Sequence, residues 1–279
     1  MKLSFTKMQG CGNDYIYFDA FAQQIPNPEV LSQKLSDRHF GIGGDGIVLI
    51  GPSENADARM RMFNADGSEG NMCGNAIRCV GKYLYDRGMV HKLSLKIETR
   101  SGIKALQLKL KDGQVETVQV DMGRPGLRPQ DIPVLLPGDR VLGRLVELGG
   151  AQRRISCISM GNPHCVIFCP KVDGLNLASL GPACERDPLF PERVNTEFVE
   201  VCAPQRLKMR VWERGSGETW ACGTGACASA VAAVEAGLSP RNRPIELVLR
   251  GGTLTITVTE ETVLMEGGAS KVFEGEVEV

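Results

Sequence analysis

The sequence predicts an α/β (α+β) fold made of two homologous halves, each with one helix against a sheet. Three observations predict it. The chain has 279 residues, a two-domain length at roughly 100–200 residues per domain. Apolar residues make up 42% and charged residues 23%, a balance that buries a core and need not be disordered. A shift of 149 positions lays one half on the other: Gly12-Asn13 falls on Gly161-Asn162, Met60-Arg61 on Met209-Arg210, Phe63 on Trp212, Glu69 on Glu218, Cys73-Gly74 on Cys222-Gly223 and Gly88 on Gly237. Across 60–74, five of fifteen positions are identical, where composition alone gives about one.

The elements follow in chain order. Asn27-Pro28 opens a helix by cap and first-turn proline. Val30, Leu31 and Leu35 form its apolar face, Arg38 and His39 suit its C-terminal end, and Gly41 stops it. Gly46 to Ile50 reads as a buried strand. Met60 and Met62 alternate with Arg59 and Arg61, so 58–63 is a half-exposed strand. The spacing of Ala76, Ile77, Val80 and Leu84 predicts a helix from Asn75 to Asp86, closed by Gly88. Leu106, Leu108 and Leu110 alternate with Gln107 and Lys109, and Asp112-Gly113 turns the chain into Val115–Val120. The prolines at 125, 129, 133 and 137 mark the expected boundary region. Further strands are expected at 164–168, 197–202 and 207–212, and an alanine-rich helix from Thr224 to Ala236, stopped by Gly237. Hairpin strands at 245–250, 253–259 and 262–266 follow, then Gly267-Gly268 and a short final strand.

Charge and composition narrow the function. Lys+Arg is 32 and Asp+Glu is 33, a net charge of -1, which argues against broad electrostatic binding of nucleic acid. No apolar run approaches the roughly 18 residues of a membrane span. The opening Met1-Lys2-Leu3-Ser4-Phe5-Thr6-Lys7 lacks an apolar signal core, so a soluble cytoplasmic protein is expected. The ten cysteines do not form the close C-x2-C pairs of a zinc site. Most read as small buried apolar residues in a reducing compartment.

Two cysteines stand apart. Cys73-Gly74-Asn75 and Cys222-Gly223-Thr224 each open the helix of one half. A helix N-terminus offers free N–H groups and partial positive charge, which lower a thiol pKa and hold a carboxylate. With two such halves face to face about a pseudo-twofold axis, the sulfurs approach one carbon from opposite sides. One, as thiolate, removes a proton and the other, as thiol, returns one to the far face, inverting the centre. No electron or group leaves, so no redox cofactor and no metal is required. Donors fixed around the carboxylate in a dry pocket stabilise the developing charge. Either cysteine alone reads equally well as a structural cap. Cys79 and Cys227 lie inside the same helices and read as packing.

These motifs resemble the diaminopimelate epimerase family, PLP-independent amino-acid epimerases with two cysteines. The resemblance covers essentially the whole chain. It is carried by Met8-Gln9-Gly10-Cys11-Gly12-Asn13-Asp14, Phe63-Asn64-Ala65-Asp66-Gly67-Ser68, Met72 to Cys79, Gly161-Asn162-Pro163-His164, Trp212 to Thr219 and Ala221-Cys222-Gly223-Thr224-Gly225. It implies two pseudo-symmetric domains, each a mostly antiparallel sheet around a central helix, with the site in the cleft between them. The domains are expected at 1–121 plus 267–279, carrying Cys73, and 122–266, carrying Cys222. The last strand would thus return to the first domain. It implies interconversion of LL- and meso-2,6-diaminopimelate, on the route to lysine and cell-wall precursors, without a cofactor, and a homodimer. Cys73 and Cys222 match the catalytic pair, and His164 and Glu213 match residues that support the chemistry. Asn13, Asn64, Asn162, Asn195, Glu213 and Arg214 match substrate contacts, with Gly74, Asn75, Gly223 and Thr224 as donors at the helix starts. Some members carry a glutamine contact where this chain has Gly46, which the offset pairs with Asn195.

The residue chemistry fits a long substrate with a polar distal end. Arg214 offers a fork of donors for a carboxylate, Glu213 can take an ammonium, and asparagines both donate and accept. Three other readings compete. Gly41 to Gly46 fits G-x-G-x-x-G, but a helix precedes it and a strand follows, the reverse of a dinucleotide fingerprint. A proline or hydroxyproline racemase would also pair two cysteines. A thiol redox sensor would join Cys73 and Cys222 as a disulfide.

Overall fold

Alternation sets the first strands. In β1 (Lys2–Gly10) Leu3 and Phe5 face the core while Lys2 and Ser4 face solvent. Cys11 and Gly12 follow with φ of 54° and 79°, the left-handed pair that a two-residue hairpin needs. That turn delivers Asn13 at the start of β2 (Asn13–Asp19), opposite Gly10. The computed structural model describes residues 1–279. These divide into two units, Met1–Val120 with Glu266–Val279, and Asp121–Met265.

In the first unit β2 leads through α1 (Pro28–Ser36) to β3 (Gly46–Gly51), which lies parallel to β2. Leu31 and Leu35 of α1 enter the core with Ile16, Phe18, Ile47 and Phe63. Val30, expected on the same face, is 63% exposed, and Arg38 and His39 lie beyond the helix end at Ser36. Strand β4 (Ala58–Asn64) returns antiparallel to β3 and turns into the short β5 (Glu69–Gly70). Helix α2 (Gly74–Asp86) follows, then β6 (Ser94–Thr99), β7 (Gly102–Lys111) and β8 (Gln114–Asp121). The β7–β8 turn is Asp112-Gly113, both with positive φ.

The second unit repeats this path. Strand β9 (Arg144–Leu148) pairs with β10 (Ala151–Ser159), and β11 (Pro163–Phe168) follows. Helix α3 (Leu177–Glu185) leads to β12 (Asn195–Ala203), β13 (Arg206–Glu213) and β14 (Gly217–Thr219). Helix α4 (Gly223–Glu235) precedes β15 (Pro244–Leu249), β16 (Gly252–Val258) and β17 (Val263–Gly268). The stretch with the spaced prolines packs inside this unit: Ile132, Val134 and Val141 belong to its core with Phe198. Strand β18 (Ser270–Glu278) then returns to pair with β1.

The register repeats as well as the order. The parallel pair Ile16↔Ile47 recurs as Cys165↔Thr196, and the antiparallel pair Ile47↔Phe63 as Thr196↔Trp212. The offset of 149 read from the sequence therefore holds through strand pairing. It also carries α1 onto α3, a helix that the chain does not announce. Its Gly181-Pro182 interior pairs two residues that disfavour a helix. The glycine is needed there because a Cβ would lie 2.1 Å from the Trp212 ring, and the proline forgoes one helical hydrogen bond.

Candidate active site

Each unit places one cysteine at the cap of its central helix. Cys73 has φ −131° and ψ 122° before α2, and Cys222 has φ −120° and ψ 110° before α4. The extended cap leaves first-turn N–H groups facing outward beside the sulfur.

In the first unit the site residues gather through Asn13. The Cys73 thiol donates to Asn13 Oδ1 at 3.2 Å, and Asn75 Nδ2 approaches the same oxygen at 3.4 Å. Asn13 Nδ2 donates to Asp45 Oδ2 at 2.6 Å, and Asp45 also receives Arg38 at 3.2 Å. Asp45 thus decides which end of the Asn13 amide faces the sulfur, a role that sequence reasoning missed. Its signal lay in the glycine run 41–46, whose purpose is close packing: Gly44 lies against Lys7, and Gly43 against Arg38. Gly46 leaves no room for a side chain, because a Cβ here would lie 2.0 Å from the Phe63 carbonyl oxygen. Asn64 donates to Ser68 Oγ at 3.0 Å.

In the second unit the Cys222 sulfur accepts the Gly225 N–H at 3.3 Å and lies 3.4 Å from Thr224 Oγ1. Asn162 Nδ2 donates to Thr224 Oγ1 at 3.3 Å. Asn162 Oδ1 faces His164 Nε2 at 2.9 Å, and His164 Nδ1 faces Glu197 Oε1 at 2.6 Å. Glu213 accepts from Thr219 Oγ1 at 2.5 Å, and its carboxylate lies near enough to Cys222 to act on the thiol through its charge. Asn195 is buried with both ends engaged: it donates to the Pro163 carbonyl at 2.8 Å and accepts the Arg214 N–H at 2.9 Å. It therefore shapes the backbone that presents Arg214, whose exposed guanidinium donates to the Glu192 carbonyl at 2.9 Å. Glu185, also unforeseen, ties the same turn through Trp212 Nε1 at 2.8 Å and the Gly215 N–H at 3.0 Å.

The electrostatics correct one expectation. A helix start lowers a thiol pKa, yet Cys222 is pushed well up, chiefly by burial and then by the carboxylates of Glu213 and Glu197. The Thr224 and Gly225 donors only partly offset this. Burial also raises Glu213. Burial therefore disfavours the charged form of both groups. Cys79 is pushed up to about 11 by burial, which suits the packing role read for it. No cluster of three or more His, Cys, Asp or Glu side chains is arranged to hold a metal ion.

The family Diaminopimelate epimerase matches residues 5–127 and 156–272. The chain belongs to the diaminopimelate epimerase family. The diaminopimelate epimerase of Acetivibrio thermocellus is 54% identical over 279 residues, covering 99% of both chains. That of Methanococcus maripaludis is 50% identical, covering 99% of this chain and 100% of its own. Among solved structures, a Bacillus anthracis phenazine biosynthesis protein of the PhzF family shares the fold with a TM-score of 0.71 at 17% identity, covering 100% of both chains. A hydroxyproline epimerase from Agrobacterium vitis gives a TM-score of 0.69 at 13% identity, covering 99% of this chain and 92% of its own. Within a diaminopimelate epimerase, Cys73 and Cys222 are structurally equivalent residues on equivalent helix starts.

Proposed function

We propose that this chain interconverts LL- and meso-2,6-diaminopimelate by moving a proton at one α-carbon between Cys73 and Cys222. The observation that carries the reading is the pair of cap cysteines at one fixed offset, in a chain of this family. One sulfur, as thiolate, takes the α-hydrogen as H⁺ while the electron pair stays on carbon. The other, as thiol, returns H⁺ to the opposite face, and the reverse reaction exchanges their roles. Oxidation state is unchanged, so the sulfurs and their donors suffice. Glu213 is the acceptor for the Cys222 proton, and His164 orders the Asn162–Thr224 side of the sulfur. The helix-start groups of Gly74, Asn75, Gly223 and Thr224 hold the reacting carboxylate. Asn13, Asn64, Asn162, Glu213 and Arg214 hold the rest of the substrate, and Asn195, whose own groups are engaged, holds the turn that presents Arg214. The work belongs to lysine and peptidoglycan-precursor biosynthesis in the cytoplasm, carried out by a homodimer. The fold contains no helix long and apolar enough to cross a membrane.

The test is reduced protein with LL-diaminopimelate in D₂O, followed by chiral chromatography and mass spectrometry. Meso product carrying one solvent deuterium at the α-carbon is expected. No exchange by folded, reduced protein, or activity on proline in its place, would overturn the reading.

A further inference from the structure

This inference rests on the epimerase reading and deepens it at one residue, Glu197. Glu197 and its partner His164 are both 0% exposed. One carboxylate oxygen receives His164, and the other, Oε2, has no hydrogen-bond partner. The fold does not need an acid there, because the equivalent position in the first unit is Val48, in the same register. Room has been made for it: a Cβ on Gly225 would lie 2.6 Å from Glu197 Oε1. A costly buried acid, unneeded for folding and accommodated by a glycine at the catalytic helix start, points to function.

The direction of each bond from Glu197 to Cys222 follows from its neighbour. His164 Nδ1 faces a carboxylate and Nε2 faces the Asn162 carbonyl oxygen, so both ring nitrogens donate. Asn162 then turns its NH₂ to Thr224 Oγ1. The Thr224 hydroxyl, accepting from Asn162, has one proton left, and Cys222 Sγ is its remaining partner. The sulfur accepts that bond and the Gly225 N–H, so two donors face it.

We propose that Glu197 is a positioning residue for Cys222: it fixes the direction of this chain and so aims the Thr224 hydroxyl at the sulfur. The two donors already facing sulfur stabilise the thiolate. With glutamine at 197 the ring no longer faces a charge. His164 Nε2 becomes an acceptor, the bonds reverse, and Cys222 donates to Thr224 where it had accepted.

The experiment is alkylation of substrate-free Glu197→Gln by iodoacetamide, resolved by peptide mass spectrometry. Cys222 should react about tenfold more slowly, the loss of one hydrogen bond to a charged sulfur, with Cys73 unchanged. An unchanged Cys222 rate overturns the proposal. A faster one does too, since it means that the bare charge of Glu197 restrains the thiolate. If all ten cysteines become reactive the variant has unfolded, and Thr224→Val against Thr224→Ser decides. Valine should slow Cys222 and serine should restore it, whereas equal rates overturn the chain. No substrate is involved, so a negative chiral assay with slowed alkylation would sink the epimerase reading alone.

Discussion

At the scale of single residues, the two thiols sit in unlike surroundings although their backbones match. Cys73 donates to an asparagine pinned by Asp45, whereas Cys222 has two donors and two nearby carboxylates. Cys73→Ala and Cys222→Ala should each remove epimerisation, at least 10³-fold by the usual size of a proton-transfer contribution (roughly 10²–10⁴), with unchanged circular dichroism. Near-normal turnover in either variant would defeat a two-sulfur scheme. Asp45→Ala frees Asn13 to turn its NH₂ toward the sulfur. Turnover should fall about tenfold to a hundredfold, with a stability loss of about 1 kcal/mol read from urea midpoints. The cysteine pair, Asn13 and Asn162 were legible because they recur at one offset. Glu197 and Asp45 were not, because each acts through a neighbour that only folding supplies. A charge at the start of the strand expected over 197–202 was the one available hint.

At the scale of elements, α3 shows where pattern reading fails. Gly181-Pro182 breaks every propensity rule for a helix interior, yet tertiary packing overrides propensity because Trp212 lies flat on the glycine. Gly181→Ala should cost about 1–3 kcal/mol through overpacking, measured by denaturation. An equal or higher midpoint would show that the ring moves aside easily. The partner face is tied by Glu185 to the turn before β14, so the same variant should raise KM through Arg214 more than it lowers kcat. The helix α4 was legible for the opposite reason: its alanines suit a buried helix interior, where Ala226, Ala230 and Ala233 are 0% exposed. Strands β1 and β10 lacked clean alternation, since both faces of their second halves are buried.

At the scale of the whole molecule, ion pairs recur in both units: Arg61–Glu69 at 2.8 Å and Arg210–Glu218 at 2.9 Å. The Arg61 guanidinium holds the Glu69 carboxyl below its ordinary value. Such a group adds stability above the unfolded carboxylate value of about 4.3, and loses it as pH falls through the folded value. Glu213 runs the other way, since burial raises it and its ionisation costs stability as pH rises. Urea midpoints should therefore drop between pH 5 and pH 3, and the drop should shrink in Glu69→Gln. An identical pH response in wild type and variant would remove that pair from the acid lability.

The pairing of β18 with β1 has a consequence during synthesis. Residues 270–278 emerge from the ribosome after every strand of Asp121–Met265 has been made. At about 5–20 residues per second, Leu3 and Phe5 wait roughly ten to fifty seconds for the partner strand that covers their edge. Nascent chains stalled before residue 270 should accordingly bind holdase chaperones through their earliest-made segment, while the later-encoded unit has already closed.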